Sequence, residues 1–83
     1  MDKVLISLFV PSVGEKYDVY IPLFLTVAEV SEMLTQMLEE IQSQRYVSSG
    51  KEVLCSLDQK VILEREKTLR DYHVQNGEHL LIC

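Results

Sequence analysis

Eighty-three residues make one small domain, spanning 1–83, with room for a single core and no second module. Hydrophobic residues at 47% and charged residues at 25% give an ordinary globular balance, while three glycines and two prolines exclude collagen-like and low-complexity classes. Thirteen acids against eight bases leave a net charge of −5, which argues against a nucleic-acid binder, and no apolar run is long enough for direct membrane insertion.

Lys3 to Val10 (KVLISLFV) is strand-like, rich in β-branched and aromatic residues. Val4, Ile6, Leu8 and Val10 are uniformly apolar, so with a period of two this even set faces the core. Pro11 to Lys16 supplies turn chemistry, and Tyr17 to Ile21 alternates again, which reads as a hairpin closed by Pro22. Thr26-Val27-Ala28-Glu29 matches a capping box, in which hydroxyl and carboxylate reciprocally satisfy free backbone N–H groups. Leu25 and Val30 flank it as a hydrophobic staple. Val27, Val30, Leu34, Met37, Leu38 and Ile41 then recur at helical spacing, predicting one long amphipathic helix over about 27–44. Met33 and Met37 read as core filling.

Tyr46 to Glu52 reads as a loop, Val53 to Leu57 as a third strand and Val61 to Leu63 as a short fourth. Thr68 caps a 3₁₀ turn over 68–72, Asn76-Gly77 is a turn dipeptide, and His79 to Cys83 is a final strand. A lone helix hides its apolar stripe only against a sheet face. The class is therefore α+β: a β-grasp, with a mixed sheet of four to five strands packed on one helix. The last strand runs parallel to the first, since a helix-containing crossover separates them.

Cys55 and Cys83 form no CxxC pair, and the Met1-Asp2-Lys3 start lacks the regions of a signal peptide. The expectation is a cytoplasmic protein with both thiols reduced. Cys55, His73, His79 and Cys83 are zinc-ligand types, but their spacing does not nucleate a site. Ser56, Asp71 and His73 could be imagined as a triad, yet no nucleophile elbow or glycine-rich oxyanion turn accompanies them. The reading is no enzyme, no metal and no cofactor.

Two blocks carry a family resemblance. Thr68-Leu69-Arg70-Asp71-Tyr72-His73-Val74-Gln75 with Leu80-Leu81-Ile82 resembles the T-L-x-D-Y-x-I-Q segment and final strand of the ubiquitin-like superfamily. Tyr17-Asp18-Val19-Tyr20-Ile21-Pro22 before Thr26-Val27 is similar to the Y-D-L-x-[VL]-P segment of the YukD/EsaB family, small ubiquitin-like proteins of bacterial type VII secretion systems. The Asp71-Tyr72 to Gly77-Glu78 ending is similar to that family's L-x-D-Y-x-I-x-[ND]-G-D-x-L. The Ser48–Lys51 loop and the Cys83 terminus depart from the pattern.

The resemblance implies a ubiquitin-like fold and a non-conjugating accessory or regulatory component of a type VII secretion system. Its implied partners are membrane components, the motor ATPase and the channel protein, met at the inner face of the cell membrane. Conjugating relatives and sulfur carriers end in a mobile Gly-Gly tail, whereas this chain ends Leu80-Leu81-Ile82-Cys83 inside the expected strand. A sulfur carrier or modifier lacking that tail, and an adaptor unrelated to secretion, remain the alternative classes.

Parity places Leu5, Phe9, Leu81 and Cys83 on the sheet face opposite the helix, as one apolar patch for a protein partner or a second copy. The acidic helix face, Glu29, Glu32, Glu39 and Glu40, is a second candidate surface for a basic partner. Thr26, Glu29, Asp71, Tyr72 and Gly77 are read as structural, with the Tyr72 hydroxyl pinning a nearby loop.

Overall fold

Alternation along the first strand sets up the whole architecture. The computed structural model describes residues 2–83. Strand β1, Lys3–Val10, buries Val4, Ile6, Leu8 and Val10 and leaves the odd positions at least partly open. Strand β2, Glu15–Pro22, returns antiparallel with Leu8 opposite Tyr17 and Val4 opposite Ile21. It is longer than the sequence suggests and includes Pro22, whose missing N–H is harmless at a strand end. Gly14, at φ +68°, closes the intervening turn in the left-handed region that suits glycine.

Helix α1, Val27–Ile41, starts where the capping box places it. The Glu29 N–H donates to Thr26 Oγ1 at 3.2 Å, and the Thr26 N–H donates to Glu29 Oε1 at 2.9 Å. The N–H groups of Val27 and Ala28 donate to the carbonyls of Lys67 and Arg65 at 2.7 and 3.0 Å, so the donors of the first turn are all taken. The far end falls short of the expected residue 44. Gln42 leaves the helical path at φ −127° while its N–H still reaches the Leu38 carbonyl. Its side-chain amide donates to the Tyr17 hydroxyl at 2.8 Å, and the Arg45 guanidinium donates to the Val13 carbonyl at 2.7 Å. These contacts draw the chain off the helix axis and seat Tyr46 in the core.

Strands β3 (Leu54–Ser56), β4 (Val61–Ile62) and β5 (His79–Ile82) complete one mixed sheet in the order β2-β1-β5-β3-β4. β5 runs parallel to β1 and antiparallel to β3, so the last strand is the central one. Between β4 and β5, Thr68 and Asp71 cap each other, each side chain accepting the other's backbone N–H at 2.9 and 3.1 Å. Three successive i→i+3 bonds, from Asp71, Tyr72 and His73, give that segment its 3₁₀ character. Val27, Val30, Leu34 and Leu38 of α1 meet Ile6, Leu8, Ile21, Leu54, Leu80 and Ile82 of the sheet in a single core. Each such side chain contributes roughly 1.5–3 kcal/mol on burial. Met33 and Met37 pack at its margin.

Candidate docking face

The helix covers one side of the sheet, and among the described residues no element covers the other. Strand registers fix what that side presents. Lys16 lies opposite Phe9, Phe9 opposite Leu81, Leu81 opposite Cys55, and Cys55 opposite Ile62. Directly opposed residues share a face, so these five form one row across all five strands. Phe9, Leu81 and Cys55 are half-buried, and Ile62 is 67% exposed. On one flank Cys83 and Val53 exchange both backbone hydrogen bonds, at 2.8 and 3.1 Å, and are exposed. On the other flank runs a polar row, Asp18, Ser7 and His79, with Leu57 bonded to the His79 carbonyl. A hollow of about 280 Å³ lies between the rows, lined by Ser7, Phe9, Lys16, Leu57, His79 and Leu80.

The expected four residues are therefore not one patch. Phe9, Leu81 and Cys83 gather, but Leu5 sits on the far side of the polar row, opposite Tyr20 and bonded to Gly77. Four residues of strand separate Leu5 from Phe9, roughly 13 Å. The structure supplies Cys55, Ile62 and Val53 in its place. Cys55 could have been found by parity, since Leu54 and Ser56 are the buried partners in its strand. Ile62 could not, because a two-residue strand has no readable period.

Polar groups frame the face. The His79 N–H donates to Asp58 Oδ2 at 2.7 Å and its ring Nδ1 lies 3.1 Å from the same oxygen, which holds the Asp58 carboxyl below its usual range. Burial pushes the Cys55 thiol up, and the nearby Cys83 adds to this. Both thiols are free. Sequence reading also missed Glu78, which accepts from Ser56 Oγ at 2.7 Å and Gln59 Nε2 at 2.8 Å. Asn76 Oδ1 accepts the Leu5 N–H at 2.9 Å, extending the β1–β5 ladder by a side chain.

The remaining candidates have structural partners. Ser56 is buried and bonded to Glu78, and Asp71 is bonded to Thr68; among the described residues neither is hydrogen-bonded to His73. Among the described residues, no three His, Cys, Asp or Glu side chains gather as a metal site. The Tyr72 hydroxyl accepts the Glu64 N–H at 2.9 Å, pinning the chain after β4. Gly77, at φ +87°, makes the turn into β5. On the acidic helix face Glu29, Glu32, Glu39 and Glu40 are all exposed, with Glu29 held by the capping box and Glu39 accepting the Ser48 N–H at 3.3 Å.

Residues 5–82 match the family described as WXG100 protein secretion system (Wss), protein YukD. The chain belongs to this family. No curated protein matches it. Among solved structures, this YukD-family chain resembles the ubiquitin-like domain of the Mycobacterium tuberculosis type VII secretion system protein ECCD1, at 13% identity and a TM-score of 0.76, covering 99% of this chain and 98% of that one. It also resembles a chain of the MycP5-free ESX-5 inner membrane complex, at 19% identity and a TM-score of 0.79, covering all of this chain and 21% of that one. A third is the ubiquitin-like domain of the Arabidopsis thaliana protein At2g32350, at 13% identity and a TM-score of 0.74, covering 100% and 78%. The fold is ubiquitin-like, and the family makes the chain a ubiquitin-like module of a bacterial type VII secretion system.

Proposed function

We propose that the chain is a non-conjugating protein-binding module that docks through its uncovered sheet face on membrane components of the secretion machine. It acts as an accessory or regulatory part at the inner face of the membrane. The observation that carries this reading is the Phe9–Leu81–Cys55–Ile62 row, an apolar stripe across four strands with no helix over it. Apolar surface of this kind, rimmed by Lys16 and the Asp58–His79 pair, is the anatomy of a protein interface. A chain of the ESX-5 inner membrane complex has the same fold, which supports membrane components such as a motor ATPase or a channel protein as partners. Among the described residues no helix is long and apolar enough to cross a membrane, so attachment through partners is the route considered.

The test is co-purification of membrane components from the native cell with Phe9→Asp and Leu81→Asp variants. Both residues are half-buried on the uncovered face, and with folding checked by thermal melting capture falls at least tenfold, as about 1.4 kcal/mol of lost contact implies. Leu5→Asp, beyond the polar row, leaves capture intact. Unchanged capture by the first two variants would show that this face is not the docking site.

A further inference from the structure

The sheet ends on two unlike edges. One is β4, two residues long; the other is β2, eight residues long. A long uncovered edge is a template for pairing with another strand. On β1, the Ser7 N–H donates to the Glu78 carbonyl at 2.9 Å and the Leu5 carbonyl accepts from Gly77 at 2.8 Å, so these odd residues spend their backbone groups on the β5 side. Alternate residues of a strand point their backbone groups to opposite sides. The even residues of β1 therefore bond to β2, and their partners Tyr17, Val19 and Ile21 bond back. Lys16, Asp18 and Tyr20 alternate with those partners and turn N–H and C=O away from the sheet. All three are exposed.

We infer that this edge pairs antiparallel with the β2 edge of a second copy, joining two sheets across a two-fold axis. The inference concerns the β2 edge and is independent of the docking face. Side-chain charge selects the register. Setting Lys16 against Lys16 of the second copy, or Asp18 against Asp18, puts like charges face to face. Setting Asp18 against Tyr20, or Tyr20 against Tyr20, puts Lys16 or Asp18 against Pro22, which has no N–H to give. The remaining register sets Lys16 opposite Asp18 and Asp18 opposite Lys16, with Tyr17 on the axis facing its own copy. Two opposite-charge pairs then accompany the backbone bonds. The small contact makes the dimer a weak, concentration-dependent one.

Sedimentation equilibrium of the full chain, from about 10 µM to about 1 mM, tests this. The expected result is a monomer–dimer equilibrium that Lys16→Glu or Asp18→Lys weakens about tenfold, since two opposite-charge pairs are lost. The charge swap Lys16→Asp with Asp18→Lys restores it, and Leu81→Asp leaves it unchanged. In a Cys55→Ser, Cys83→Ser background, Tyr17→Cys cross-links under oxidation and Asp18→Cys does not. A monomer throughout, a dimer indifferent to the single charge changes or not restored by the swap, or cross-linking through position 18 overturns the proposal. An extended peptide bound at β2 with no dimer formed also overturns it.

Discussion

Three hydroxyls hold connections of this molecule, each by accepting a backbone N–H. Thr26 caps the helix, Thr68 caps the turn before β5, and Tyr72 takes the Glu64 N–H. Tyr72→Phe removes only the last of these, so urea denaturation should show a loss of about 1 kcal/mol with unchanged m. Tyr46 gives the clearest pH signature. Burial first, then the charge of Glu52 and its hydrogen bond, push the Tyr46 phenol up to about 12. Its folded pKa lies above its unfolded value, so its contribution is intact below about pH 10 and is lost as pH rises towards 12. Spectrophotometric titration should show one tyrosine ionising late, accompanied by a falling denaturation midpoint over that window. Glu52 works at the acid end. Burial pushes its carboxyl up, but hydrogen bonds from Ser49, its own N–H, Ser48 and Tyr46 outweigh that and hold it below the usual range. Its contribution is therefore present above the ordinary glutamate pKa and is lost as pH falls through the depressed one.

At the scale of elements, the helix carries a graded stripe. Leu34 is fully buried at its centre, whereas Met37 packs at the margin. Leu34→Ala should cost about 2–5 kcal/mol by lost burial and the cavity left behind. Met37→Ala should cost clearly less, and parallel urea curves on the two variants check the ranking. If Met37→Ala is the more damaging, the stripe is rotated from the one described. The helix boundary teaches a related point. Apolar periodicity runs through Ile41, yet nothing in the 42–45 stretch announces a stop. The stop comes from Gln42 reaching Tyr17 and Arg45 reaching Val13, partners 25 and 32 residues away in sequence.

For the whole molecule, the decisive feature is that the last strand is the middle one. β5 joins the β1–β2 hairpin to the β3–β4 pair, and its Leu80 and Ile82 are buried under the helix. Removing residues 79–83 strips the ladder from both neighbours and opens the core. The truncated chain should lose amide dispersion and its cooperative thermal transition altogether. A cooperatively folded truncation would mean that β1 and β3 can close without β5. The same topology makes folding depend on contacts between the two ends of the chain, a slow class of closure for so small a domain.

Much of this was legible in the residues. Alternation in KVLISLFV gave the buried face, the Thr26–Glu29 box gave the helix start, and the Asp71–Tyr72 and Asn76–Gly77 pairs gave the turn into the final strand. Those features are local: period and capping chemistry act within a few residues, so one segment suffices to read them. The docking face was legible only in part. Which side Phe9 and Leu81 occupy follows from parity, but which residues stand beside them follows from strand register. Register between β1, β5, β3 and β4 is set by packing across sequence separations of up to about seventy residues. Register is why Cys55 and Ile62 join Phe9 and Leu81, whereas Leu5 is parted from Phe9 by four residues of its own strand, a spacing the sequence already carries. The sequence by itself determined the elements, their buried sides and the family. Only the tertiary structure decided where β3 and β4 join the sheet and in what register, and with that the contents of the open face, because hydrogen-bonded neighbours in a sheet are chosen by the whole chain at once.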